Sequence, residues 1–186
     1  MTNSLSSRIL ELTPQQLGRL NEEEIFTLRE AARQERYDNL DARCSRAALD
    51  EQGWARTDSG PLFWGQNLTK TIDDHALAKG TPSKASFPRK SYFQVLMGEL
   101  LQPVIHLSTG CRTTLICKSR EMLSSWTICL YLAWLCQWRP GTTAVVQTLK
   151  ETKAEELIRY IAILAEQQEP FLKETPPHFS QRGDGD

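Results

Sequence analysis

Thr113-Thr114-Leu115-Ile116-Cys117-Lys118-Ser119-Arg120-Glu121-Met122-Leu123-Ser124-Ser125 is the stretch on which the fold of this chain turns. Its first five residues are β-branched or apolar, the texture of a buried strand. Its end opens Met122 to Trp138, which carries no charge over 17 residues. A strand that turns sharply into a helix aims backbone N–H groups at the joint, where anionic groups bind. Lys118 and Arg120 add positive charge there, and Ser124 or Ser125 offers a hydroxyl to a Mg²⁺ ion. The stretch lacks G-x-x-x-x-G-K-[ST], so the residue pattern by itself says little about nucleotide binding.

Working toward the C-terminus, the Pro140-Gly141 turn opens a second β-type run, Thr142 to Thr148. Glu151 to Glu166 then reads as an amphipathic helix with Ala154, Leu157, Ile158, Ile161 and Leu164 facing inward. Toward the N-terminus lie Val104-Ile105-His106-Leu107, another β-type run, and a helix from Arg89 to Gln102 with Phe93, Leu96, Met97, Leu100 and Leu101 on its apolar side. Strand, loop, helix, strand, helix is the alternation that builds a parallel sheet, so the expected class is α/β.

Residues 52–90 change character, because Gly53, Gly60, Pro61, Gly65, Gly80, Pro82 and Pro88 interrupt any long element. Within this connector, Leu62-Phe63-Trp64 forms an apolar knot expected to dock on the main domain. Asp73-Asp74-His75 reads as a polar turn, since no further metal ligand lies at a suitable spacing. Upstream, Thr13-Pro14-Gln15-Gln16 and the pair Asn21 and Glu24 both look like helix starts of the capping-box type. Ile25, Leu28 and Ala32 follow at helical spacing. Arg29, Arg33 and Arg36 share another stripe, which is either a solvated face or a contact with a partner or DNA. The expected division is a helical N-terminal arm (1–57), a connector (58–102), an α/β domain (103–173) and a flexible tail (174–186).

Composition narrows the function classes. The 186 residues hold 40% hydrophobic and 24% charged side chains, which are globular values, and the net charge of -1 argues against nucleic-acid binding by bulk electrostatics. The five cysteines contain no C-x-x-C, and the three histidines are scattered, so no zinc site is expected. Met1 to Ser7 is polar, and with unpaired cysteines this suggests a reducing, cytoplasmic setting. Met122 to Trp138 only just reaches spanning length and is diluted by serines, a threonine and a glutamine. A helix buried all round is therefore the preferred reading over a membrane span.

Three segments, in order, carry a resemblance. Gly60-Pro61-Leu62-Phe63-Trp64-Gly65-Gln66-Asn67-Leu68-Thr69-Lys70-Thr71 is an aromatic lead-in, Phe87-Pro88-Arg89-Lys90-Ser91-Tyr92-Phe93 follows it, and Lys118-Ser119-Arg120-Glu121-Met122 precedes Trp126. From Gly60 to about Leu172 the chain resembles the large subunit of phage terminases, the DNA-packaging ATPases, whose deviant phosphate loop has the form K-S-R-Q-x-G-x-[ST]. The resemblance implies the N-terminal part of such a motor, a partial P-loop ATPase-type parallel sheet behind a helical N-terminal arm. It implies ATP and Mg²⁺ as cofactors, with Lys118, Ser119 and Arg120 at the phosphates and Ser124 and Ser125 at the loop's end. Ser125 would hold the Mg²⁺. Tyr92, Phe93 and Gln94 would lie near the adenine, although core packing explains Tyr92 and Phe93 equally well. Implied partners are phage DNA, a small terminase subunit and a portal, in the host cytoplasm, with no membrane and an oligomeric ring in the complete enzyme. Glu121 and Leu123 depart from the family's glutamine and glycine. No β-run after Val146 ends in the acidic pair that such ATPases use, so a non-catalytic module that binds other packaging components is the alternative.

Overall fold

The computed structural model of the chain describes residues 20–72, 84–106, 114–117 and 123–172. The chain divides into two compact units, Met1–Ala42 and Arg43–Asp186. The first is represented by most of helix α1 (Glu22–Ser45), which has three glutamates in its opening turn. Asn21 caps it reciprocally: the Glu24 N–H donates to Asn21 Oδ1 at 2.8 Å, and the Asn21 N–H donates to Glu24 Oε2 at 2.9 Å. The expected start at Asn21 is thus observed, while Thr13 to Gln16 lies outside the described residues. Arg29, Arg33 and Arg36 are exposed, and Arg33 pairs with Glu30 one turn back.

Among its described residues the second unit holds, beyond the end of α1, the helices α2 (Gly60–Asn67), α3 (Ser91–Ile105), α4 (Ser124–Trp138) and α5 (Glu151–Glu166), with a 3-10 turn at Pro170–Leu172. Among the described residues the β content is one antiparallel ladder, β1 (Thr71–Ile72) with β2 (Lys84–Ala85), pairing Thr71 with Ala85, and an isolated antiparallel bridge between Leu49 and Ala55. This corrects the expected α/β class: among the described residues no parallel strands flank Cys117 to Ser125, and no P-loop-type sheet is present. Each misread run has its own reason. Val104 and Ile105 form the last turn of α3, where they prolong the apolar side of that helix rather than start a strand. Residues 114–117 and 142–148 form no strand. Leu115 is 87% exposed and Val145 83%, so no neighbouring chain covers them. β-branched residues favour a pleated, half-buried surface, and without a paired neighbour that preference has nothing to act on.

The core is centred on α4. Trp126, Thr127, Cys129, Leu130, Ala133 and Trp134 are buried around much of its circumference, as expected for a helix enclosed by others. α5 packs along it, with Trp126 stacked on Tyr160 at 4.1 Å and 14°. α2 approaches so closely that a Cβ on Gly65 would meet Leu130 Cδ2 at 2.7 Å. All of Gly60 to Gln66 is buried, so the expected apolar knot at Leu62 to Trp64 is the face of a short central helix. α3 lies against the 50–55 turn through Gly98, where a Cβ would come within 2.5 Å of the Gly53 carbonyl. Buried polar atoms tie the helices together: Trp134 Nε1 donates to the Cys44 carbonyl at 2.6 Å, and Thr69 Oγ1 donates to the Leu164 carbonyl at 2.6 Å. No helix among the described residues is long and apolar enough to cross a membrane.

Candidate functional site

The first turn of α3 lies beside two cavities, and the sequence spacing decides which side chain meets which. Successive helical residues advance by about 100°, so positions two apart point to nearly opposite sides. Tyr92 accordingly faces one cavity and Gln94 the other, while Phe93 between them is fully buried. Phe93 meets Phe87 edge-on at 5.0 Å and sits 4.3 Å from the Tyr92 ring. It is a core anchor, and the three residues expected together near an adenine are thereby separated.

The first cavity, about 500 Å³, lies between α3, residues 114–117 and the start of α4. Its wall is largely apolar, with Tyr92, Val95 and Leu96 on one side and Leu115, Ile116 and Cys117 on the other. Ser124 closes one end and is 4% exposed. Ser125, expected to hold Mg²⁺, is half-buried and does not line it. One carboxylate, Glu99, also faces the space. Lys118, Ser119 and Arg120 lie outside the described residues, but Cys117 brings the chain to this cavity immediately before them.

The start of α4 is unusual. Leu123 has φ 48° and ψ 22°, the one left-handed non-glycine residue among those described. Such a backbone costs an L-residue about 1–2 kcal/mol. The first intrahelical bond runs from the Thr127 N–H to the Leu123 carbonyl at 3.0 Å, and no side chain caps the helix. The N–H groups of Ser124, Ser125 and Trp126 thus precede the helical ladder, as the opening donors of any helix do.

The second cavity, about 440 Å³, is polar and basic. Arg43, Arg89 and Lys90 line it with Gln66, Asn67 and Gln94. Sequence reading passed over it because it looked for cations along one helix stripe, whereas Arg43 and Arg89 come together only in the fold. The local signal was the pair Arg89-Lys90 immediately before a helix. Among the described residues no group of three or more His, Cys, Asp or Glu is placed to hold a metal, and Asp73-Asp74-His75 lies outside them. Comparison with known proteins adds no identification: no family model, no curated protein and no solved structure matches the chain.

Proposed function

We propose that the chain is the N-terminal, nucleotide-handling part of the motor of a phage DNA-packaging terminase, working in the host cytoplasm on phage DNA with a small terminase subunit and a portal. The observation that carries this reading is Leu123. The single left-handed non-glycine residue among those described falls at the position where the resembling phosphate loop has its glycine. A glycine is used there because it reaches that conformation without steric cost. This chain keeps the backbone turn with a leucine, which supports a common origin for the loop.

The residues present suit a nucleotide. Tyr92 and the apolar wall offer a face for a base, and the opening N–H groups of α4 with Ser124 offer donors at one end. Lys118 and Arg120 follow Cys117 closely in sequence and would supply the cations for the phosphates. Mg²⁺ would arrive with ATP and be held by phosphate oxygens and a serine hydroxyl, Ser124 or Ser125. It would neutralise phosphate charge, which matters beside Glu99. No hydrolytic step is assigned, because no acidic pair faces this space among the described residues.

Mg-ATP binding measured by calorimetry tests the reading, with Cys117 alkylation as a local probe, since that thiol is free and exposed on the cavity. Binding should slow Cys117 modification, and Lys118→Ala and Arg120→Ala should each weaken affinity by about tenfold or more, as loss of a charged hydrogen bond does. Absence of binding at millimolar Mg-ATP would favour the second reading, a non-catalytic module for other packaging components. The Leu123 side chain, 42% exposed where the family has none, is the observation on that side.

A further inference from the structure

The basic cavity on the other side of α3 gathers three cations, Arg43, Arg89 and Lys90, around one helix start. Lys90 is the N-cap residue of α3 and Arg89 precedes it, yet the helix has no acidic residue in its first turn and no side-chain cap. A helix N-terminus carries partial positive charge, so cations there are unfavourable where an acidic residue would be favourable. Arg43 adds a third positive group. Its guanidinium lies 4.0 Å from the centre of the Phe63 ring and donates to the Asp58 carbonyl at 3.0 and 3.1 Å. Arg89 Nη2 donates to Asn67 Oδ1 at 2.9 Å, and the Lys90 ammonium has no hydrogen-bond or ion-pair partner among the described residues. The one carboxylate on this wall, Asp58, is already engaged by Arg56, whose Nε donates to Asp58 Oδ1 at 2.8 Å.

Like charges that line one concave, solvent-open site focus the field there and raise the local concentration of anions. A space of about 440 Å³ exceeds what one phosphate fills, and three cations match two or three anionic groups. Gln66, Asn67 and Gln94 supply neutral amide groups around it. We infer that this cavity binds an oligophosphate, meaning two or three linked phosphate groups, through Arg43, Arg89 and Lys90. The chemistry is the same for a free oligophosphate chain and for consecutive phosphates of a DNA strand, and the test separates the two. The inference stands apart from the Cys117–Ser125 loop and does not require it to bind ATP.

The experiment is amine acylation of the folded full chain, read at Lys90 by mass spectrometry with exposed Lys150 as the internal reference. The probes are inorganic tripolyphosphate and a short single-stranded oligodeoxynucleotide. Tripolyphosphate should slow modification of Lys90 several-fold and leave Lys150 unchanged. Arg89→Ala should abolish the protection, and Arg89→Lys, which keeps the positive charge, should retain most of it. A Lys118→Ala, Arg120→Ala double variant should also retain it, so failure of the loop reading leaves this result intact. Protection by the oligonucleotide that tripolyphosphate competes away identifies a DNA backbone, whereas protection by tripolyphosphate alone identifies a free oligophosphate. Protection by neither probe overturns the inference. So does protection that survives Arg89→Ala and disappears in the loop double variant.

Discussion

The first turns of α3 and α4 lie in one compact unit, and neither has a side-chain cap, but they break the local rules in different ways. α3 starts from an ordinary extended residue, Lys90, at φ -119° and ψ 140°, and its departure is one of charge. α4 starts from Leu123, whose charge is neutral and whose backbone is the departure. The first is exposed and electrostatic, the second leads straight into the buried Ser124. Local conflicts that a fold tolerates are common where a site is built. The two kinds of conflict match two kinds of cavity, one basic and one largely apolar.

Phe93 is where the comparison can be broken outright. It is fully buried between the residues that face the two cavities. Phe93→Ala should destabilise the unit by about 3–5 kcal/mol, as truncation of a packed phenylalanine does. Both local probes should respond together, with Cys117 and Lys90 losing ligand protection in the same variant. If Phe93 instead served one cavity as a ligand contact, thermal unfolding would be nearly unchanged and a single probe would move.

The two helix starts then separate in opposite tests of stability. Lys90→Asp replaces a cation at an N-cap with a residue whose carboxylate accepts from the opening N–H groups, and should stabilise by about 1 kcal/mol, or about 2–4 °C in Tm. The same change should abolish tripolyphosphate binding. A gain in stability with loss of the ligand is the signature of a site held against the helix dipole. Leu123→Gly should stabilise by about 0.5–1 kcal/mol, since the left-handed penalty exceeds the added freedom of the unfolded chain. Leu123→Val should move the other way, because a β-branched residue fits that region worse. Equal melting temperatures for the three residues would mean that the turn at 123 is not left-handed in solution.

How much of this was legible depended on whether the signal was local. The bounds Glu151 to Glu166 were legible, because one periodic face and polar flanks define such a helix; of the residues expected to face inward, Ile161 and Leu164 are buried and Ala154, Leu157 and Ile158 half-buried, while buried Tyr160 was not foreseen. The Asn21 and Glu24 capping box was legible for the same reason. Val104-Ile105 and Thr142 to Thr148 misled, since β-branched runs become strands only when something pairs with them. Gly60 to Asn67 was obscured by its own Gly60, Pro61 and Gly65, although proline is at home in a first turn and a small residue permits the close approach to Leu130. The basic cavity was not legible, because Arg43 and Lys90 meet only through packing. The left-handed turn at Leu123 was hidden in a different way: nothing in a leucine announces it, and the resemblance marked the position but not the backbone.

The smallest expected effect concerns the acid beside the basic cavity and decides how its charge is counted. Hydrogen bonding from Arg56 holds the Asp58 carboxyl down at about 2, from its usual 3.8. A carboxylate whose folded value is depressed adds stability above its unfolded value and loses it as pH falls through the folded one. The window here therefore runs from about pH 4 down to about pH 2. Both side chains are about half exposed, so solvent screening keeps the pair's effect on stability small. Asp58→Asn should thus be only slightly less stable than the unaltered chain at neutral pH, with the difference vanishing toward pH 2 and in about 1 M salt, where the screening length is about 3 Å. Tripolyphosphate protection of Lys90 should rise modestly in the same variant, because losing the carboxylate leaves the positive charge of Arg56 unneutralised. A large gain in affinity would instead mean that Asp58 acts on the ligand directly, and the positive count at the cavity would have to be lowered by one.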